Sequence, residues 1–185
     1  MSANDRLDAE VFKIVSRAIG ESDNLEIMAN HLSQLLVAAL EIKGCAIFIL
    51  NPATKELERI ANFGLSMKFL SKGPVLADQS VGGILQGESV IIKDVFKEGK
   101  LQYPDDVKAE GIGAILSIPI VFRGEVLGDV RLYHSEVWDI SDRDLDLLHL
   151  LVEDIGLAMS YTRLLNAMQA INDILKDMPG ELLSK

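Results

Sequence analysis

The sequence predicts an α+β fold in which one antiparallel sheet carries long N- and C-terminal helices on one face and short helices and loops on the other. Three observations predict it. Apolar residues recur at helical spacing through the first forty residues and again after residue 141. Between them the period changes to short apolar runs bounded by turn residues. Two of those turns, NPATKE and Arg123-Gly124, separate adjacent runs by few residues, so each joins an antiparallel hairpin.

Taken in order, residues 5–19 place Leu7, Val11, Ile14, Val15, Ala18 and Ile19 on one helical face, and Gly20 closes that helix. Ser22 or Asp23 is placed to cap a second helix from Leu25 to Glu41, with Leu25, Met28, Ala29, Leu32, Leu35, Leu36 and Ala39 on its buried side and Gly44 ending the segment. CAIFIL, residues 45–50, is a continuous apolar run and reads as a strand covered on both faces. Leu57, Arg59, Ala61 and Phe63 alternate with more polar neighbours as its hairpin partner. No period survives over residues 64–80.

Ser80 is placed to cap a short helix running to Gln86, which Gly87 stops, and Ser89–Val95 follows as a strand. Around Tyr103-Pro104 lies a charged loop in which Asp105 or Asp106 starts one or two helical turns. Ile115–Phe122 and Glu125–His134 form the second hairpin. Ser141 then caps a helix, with Asp142 and Asp144 in its first turn, that nothing breaks before Pro179. The lone Gly156 is tolerable within it.

That last helix carries two stripes. Leu145, Leu148, Val152, Ile155 and Met159 suit a domain core. Leu157, Tyr161, Leu164, Met168, Ile171, Leu175 and Met178 repeat at heptad spacing and outlast it. The stripe either folds back on its own domain or meets a second copy. The sequence favours the second, a parallel homodimer helped by Leu7 and Val11 of the first helix, because no intrachain segment of similar length is available.

Composition bounds the function. With 185 residues, 49% of them hydrophobic, the chain suits one domain with one well-buried core. Eighteen Lys plus Arg against 28 Asp plus Glu give a net charge of −10, which disfavours nucleic acid and anionic membrane surfaces as partners. A single cysteine, Cys45, excludes an internal disulfide and any zinc site of several thiolates. The polar, acidic start lacks the features of a secretory signal, and no apolar run approaches the roughly 18 residues of a membrane span. A cytoplasmic protein is expected.

Several stretches resemble the GAF family: SVGGILQGESVIIKDV its short lid helix and next strand, LQYPDDVKAEGIGAILSIPIVFRGEVLGDVRLYHSE its final hairpin entered from a Tyr-Pro loop, and DISDRDLDLLHLLVEDIGLAMSY its closing helix. The resemblance covers residues 22–165. It implies a regulatory domain that binds a small molecule between sheet and lid and pairs through its terminal helices, commonly beside an output unit such as a histidine kinase. No output domain is present in the 185 residues; the output is then either a separate protein such as a kinase or a further part of a larger sensor. Residues 1–21 are then an N-terminal dimerisation or signalling helix, and 166–185 a C-terminal extension and tail.

The resemblance assigns one face of the last strand to the pocket. Strict alternation sends Val126, Gly128, Val130 and Leu132 toward the helices and Leu127, Asp129, Arg131 and Tyr133 toward the pocket. Arg131 beside Tyr133 suits an anionic or carboxylate-bearing ligand, whereas Asp129 and Arg131 can equally neutralise each other. Ser117 on the adjoining strand needs a partner, either ligand or backbone carbonyl. Gln79, Ser80 and the amides opening the lid helix, with Ile84 inside it, complete the candidates, although its glycines equally serve close packing. Tyr103, Pro104 and Asp105 gate the pocket or simply shape a turn.

The family's special chemistries find no support. Asn51 is followed by Pro52 and no Asp-Glu pair exists, against the cyclic-nucleotide pattern of GAF domains. Cys45 stands in the first strand, away from the lid where a bilin would attach, and one cysteine cannot run the cycle of the GAF methionine sulfoxide reductases. His31, His134 and His149 have no second ligand at helical or hairpin spacing. No catalytic constellation is legible, so the expectation is a non-enzymatic sensor with no cofactor named, or else a scaffold whose pocket is filled by its own side chains.

Overall fold

A computed structural model describes residues 7, 9–20, 24–81, 83–97 and 101–177. Helices α1 (Ala9–Gly20) and α2 (Leu25–Leu40) precede strands β1 (Gly44–Leu50) and β2 (Leu57–Phe63). A one-turn helix α3 (Met67–Leu70), a 3-10 turn (Ile84–Gln86), strand β3 (Val90–Ile92) and helix α4 (Pro104–Glu110) follow. Strands β4 (Ala114–Phe122) and β5 (Glu125–His134) and helix α5 (Asp142–Asp177) complete the order. The strands form one antiparallel sheet in the order β2-β1-β5-β4-β3.

Each connection has a local cause. Asn24, rather than Ser22 or Asp23, caps α2: its side-chain oxygen accepts from the amides of Glu26 and Ile27 at 2.9 and 3.1 Å. Ser22 and Asp23 lie outside the described residues. Glu41, in the left-handed region at φ 52°, ends α2, and Gly44 already belongs to β1. Asn51 turns the first hairpin by accepting from the amides of Ala53 and Thr54. Arg123 and Gly124, at φ 52° and 82°, supply the left-handed pair that a two-residue hairpin turn requires. Ser141 starts α5 by accepting from the Asp144 amide at 3.1 Å.

The sheet separates two apolar clusters. On the helix side, Met28, Leu32, Leu36 and Leu40 of α2 and Leu148, Leu151, Val152, Ile155 and Met159 of α5 cover Ile47, Ala61, Leu116, Ile118, Ile120, Val130 and Leu132. Fully burying each such Leu or Ile contributes about 1.5–3 kcal/mol. Gly156 has a packing role: a Cβ there would stand 3.0 Å from the Val121 carbonyl oxygen, so glycine lets α5 lie close on β4. On the lid side, Phe48, Leu57, Phe69, Val81, Ile84, Val107, Ile112, Ile115 and Tyr133 pack together.

Two bulges correct the alternation expected from sequence. Ile120 pairs with Gly128 but Val121 with Val126, so Leu127 is an extra residue and the pleat changes phase. Leu127 therefore joins the helix-side core, and Val126 packs on the lid side, each opposite to expectation. In β2, Ile60 is the extra residue between Ala61↔Ile47 and Arg59↔Phe48, which puts Leu57 and Ala61 on opposite faces. Strand β3 is shorter than the expected Ser89–Val95, spanning only Val90–Ile92.

Leu7 also departs from expectation. It is 1% exposed inside the helix-side core, and its amide donates to the Asp144 carboxylate at 3.0 Å, so it is spent on its own protomer. Val11 packs partly buried against the same core. The seam of α5 behaves otherwise. Leu157, Tyr161, Leu164, Met168 and Ile171 are each about 60% exposed and Leu175 47%. Met178 lies outside the described residues. No described helix is long and apolar enough to cross a membrane.

Candidate functional site

The lid face is where the sheet stops being apolar. Asp129, Arg131 and Tyr133 succeed one another at two-residue steps on β5, beyond the bulge, and their cross-strand partners share that face: Phe48 and Ala46 on β1, Pro119, Ser117 and Ile115 on β4. Small Ala46 and Ser117 flank Arg131 and leave its guanidinium room to lie along the sheet, 5.2 Å from the Phe48 ring centre.

The buried charges form a continuous chain of hydrogen bonds from Ser117 through Asp129 and Arg131 to Ser80. Arg131 donates from Nε and Nη2 to Asp129 Oδ2 at 3.0 and 2.7 Å. Ser117 Oγ donates to Asp129 Oδ1 at 2.7 Å. Arg131 Nη1 donates to Ser80 Oγ at 2.6 Å and thereby ties the lid to the sheet. Asp129 is 0% exposed and Arg131 4%, so each ion is stable there only because the other is present.

Burial pushes the Asp129 carboxyl upward against the pull of Arg131 and Ser117. Burial also works against the guanidinium charge, but Asp129 and Tyr133 outweigh it and hold Arg131 protonated. Tyr133 is pushed up to about 12, chiefly by burial, partly countered by Arg131. Burial, then the charge of Asp129, likewise raises the Cys45 thiol, leaving it an inert core residue.

Above this network lies a cavity of about 20 Å³, room for about one water molecule. Arg131, Tyr133 and Ser80 line it, together with Phe69, Lys72, Gln102 and Tyr103. Phe69 stands edge-on to Tyr133 with ring centres 5.7 Å apart, and Lys72 Nζ lies 3.7 Å over the Phe69 ring while donating to the Phe69 carbonyl at 3.1 Å. At the mouth, Gln102 Nε2 and Tyr103 Oη both donate to the Pro74 carbonyl, at 3.0 and 2.8 Å, and Gln102 Oε1 accepts from the Leu76 amide at 3.0 Å. Gly73 is at φ +126°, and a Cβ there would stand 2.7 Å from Tyr103 Oη, so this latch closes only over glycine.

Of the sequence candidates, Ser80, Arg131 and Tyr133 come together at the cavity wall. Asp129 and Ser117 lie behind them in the network. Gln79 is exposed and Ile84 is fully buried in the lid-side core, and neither lines the cavity. The expected lid helix is one 3-10 turn preceded by Gly83 at φ 87° with no side-chain cap. Ser80 does not cap it, because the turn begins at Ile84 after Gly83, and the Ser80 hydroxyl instead accepts from Arg131.

Lys72 and Phe69 were not legible, since they fall in the stretch without a period. Their i, i+3 spacing ahead of Gly73-Pro74 is the one signal available. Tyr103 shapes the turn, since it precedes Pro104, the first residue of α4, and its hydroxyl lies at the cavity mouth.

Two open grooves at the β5–α5 connection are larger, about 370 and 300 Å³, but carboxylates dominate their rims: Asp139 and Asp142 border one, where Lys93 is paired with Asp139, and Glu136, Asp139 and Asp144 border the other. His31 is exposed, His134 stacks on Trp138, and His149 Nε2 meets Ser89 Oγ at 2.8 Å. Among the described residues, no group of three or more His, Cys, Asp or Glu could hold a metal ion.

This arrangement, a five-stranded antiparallel sheet with terminal helices on one side and a lidded cavity on the other, defines a small α+β domain of the GAF architecture. The GAF domain family matches residues 22–160, more than half of the chain, and the protein belongs to that family. GAF domains are typically small-molecule sensory or regulatory modules.

Among solved structures, the GAF domain of a phosphoenolpyruvate-protein phosphotransferase from Coxiella burnetii is similar at TM-score 0.76 and 19% identity, covering 85% of this chain and 95% of that one. Free methionine-R-sulfoxide reductase from Neisseria meningitidis, in complex with its substrate, is similar at TM-score 0.73 and 12% identity, covering 88% and 98%. A methyl-accepting chemotaxis protein segment is similar at TM-score 0.67 and 22% identity, covering 83% and 99%. At these identities the likeness is one of fold. Among curated proteins there is no significant match.

Proposed function

We propose that the protein is a non-enzymatic regulatory GAF module: a small molecule enters between lid and sheet, and its binding alters how α5 pairs with α5 of a second copy. The observation that carries this reading is the heptad stripe Leu157–Leu175, exposed on a helix of 36 residues, about 54 Å, whose first half is bolted to the sheet. A stripe of that length in water favours a parallel partner helix. Ligand energy reaches it through β4, on which α5 rests, and the switch is worth only the ligand's differential affinity for two helix arrangements, about 1–3 kcal/mol.

A second reading has its own support. The cavity is small and Arg131 is already satisfied by Asp129 and Ser80, as in a dimerisation scaffold with a self-filled pocket. Thermal shift against a metabolite panel separates the two, because a binder gains RT ln(1 + [L]/Kd) and a scaffold gains nothing. Sedimentation of Leu164→Asp with Ile171→Asp is expected to give monomer. A surviving dimer removes α5 from the interface.

A further inference from the structure

The cavity walls have an uneven charge. Lys72 and Arg131 face the space and no carboxylate lines it. Asp129 sits behind Arg131 and cancels that guanidinium, so one positive charge, on Lys72, is left over. Its present contacts, a backbone carbonyl and a ring face, carry no charge, and the carboxylates of Asp106 and Glu110 on α4 act on it only from outside the lining. The rest of the lining is uncharged: the apolar Phe69, Val75, Val81, Leu101, Val107 and Ile115, with the hydroxyls of Ser80, Tyr103 and Tyr133 and the Gln102 amide. A cation in a lining that is otherwise uncharged and largely apolar selects a guest with one anionic group and an apolar body.

We propose that this cavity receives a short-chain aliphatic monocarboxylate, its carboxylate held between Lys72 and Arg131 and its tail set among Val75, Val107 and Ile115. The inference rests on the sensory reading above and names the ligand class for it. Among the described residues, Lys72 is the one cation of this lining not bonded to a carboxylate, which matches a monoanion, and no further cation lines the cavity to meet the second charge of a phosphate or dicarboxylate. Because the closed cavity holds about one water, the guest enters when Gln102 and Tyr103 release Pro74 and Leu76.

The protonation state of Lys72 gives the idea a handle. Burial and the charges of Arg131 and Arg59 lower its pKa to about 8, against the opposing pull of Asp106 and Glu110 from α4. The phenols of Tyr103 and Tyr133 share the wall. A carboxylate arriving beside Lys72 restores its preference for the proton, so binding takes up protons near pH 8 and weakens above it.

The experiment measures thermal shift of the 185-residue chain with sodium butyrate, butyramide and inorganic phosphate as probes, each against sodium chloride at matched ionic strength. At pH 7, butyrate is expected to raise Tm and butyramide and phosphate are not. Lys72→Met abolishes the butyrate shift, while Lys72→Arg retains it. At pH 9 the wild-type shift is largely lost and that of Lys72→Arg persists, since guanidinium stays charged. Circular dichroism establishes that both variants are folded.

An equal response to butyramide, a butyrate shift unchanged in Lys72→Met, or an undiminished wild-type shift at pH 9 overturns the proposal. If carboxylates are silent while another metabolite gives a shift, this inference fails and the sensory reading stands. If no compound gives a shift, both fail.

Discussion

The two faces of the sheet are buried to the same degree and stabilised by different physics. Helix-side residues such as Leu32, Ile118 and Leu132 are 0–1% exposed and need only volume and shape. Lid-side Asp129, Arg131 and Ser117 are 0–4% exposed and need specific partners at specific atoms. The helix face therefore degrades gradually under substitution, whereas the lid face fails when one member of a pair is lost. A strand that spans the domain centre carries both, which is why β5 alternates apolar and polar after its bulge.

Asp129→Ala breaks the comparison hardest. It strands the Arg131 guanidinium in a site with no other carboxylate bonded to it, and the expected cost is about 3–5 kcal/mol in urea unfolding. Ile118→Val on the helix face removes one methyl at similar burial and costs only about 0.5–1.5 kcal/mol. The double change Asp129→Leu with Arg131→Met is expected to recover most of the loss, because a well-packed apolar pair replaces the ions. Equal costs for Asp129→Ala and Ile118→Val would mean that the ion pair is no more exacting than the apolar core.

Lys72 sharpens the contrast at the lid's outer edge. Its folded pKa, about 8, lies below the ordinary 10.5, so between those values the unfolded chain holds more protons and stability rises with pH. Cys45 and Tyr133 act oppositely above their ordinary values of 9.0 and 10.0, since the fold keeps both protonated. Those two contributions are shared by wild type and Lys72→Met. The stability difference between the two proteins therefore isolates Lys72, and it is expected to move in favour of wild type from pH 8 to pH 10. Lys72 is only half-buried, which keeps the slope well under the one-proton limit of about 1.4 kcal/mol per pH unit. A flat difference across that range would show that the lysine head is fully hydrated.

How far the sequence carries this picture follows the same division. Helix periods and hairpin turns place α1, α2, α5 and both hairpins within a few residues, because local spacing and turn chemistry decide them. The faces of β2 and β5 change phase at Ile60 and Leu127, where a bulge set by pairing with a distant strand has no local mark. Asp129, Arg131 and Tyr133 are legible as one face because alternation after the bulge is regular, and the family resemblance is what assigns that face to the pocket. Lys72, Phe69 and Gln102 are not, because the irregular segments that carry them are positioned by hydrogen bonds to one another, such as Gln102 to Pro74, and not by any period. The opposite error, Leu7 as an interface residue, arises because a helical stripe looks alike whether its own core or a partner covers it.

The smallest expected effect concerns a place where the two faces exchange a side-chain bond around the sheet edge. Ser89, just after the 3-10 turn of the lid, meets His149 of α5 at 2.8 Å, across 60 residues of sequence. This edge lies beside β3, outside the network of Arg131, so it offers lid movement a route to the long helix that does not pass through β4. Ser89→Ala and His149→Ala are each expected to cost about 0.5–1.5 kcal/mol, and the double variant no more than the larger single loss. Full additivity in denaturant unfolding would mean that the pair does not interact in solution, and the lid and α5 would then communicate through the sheet alone.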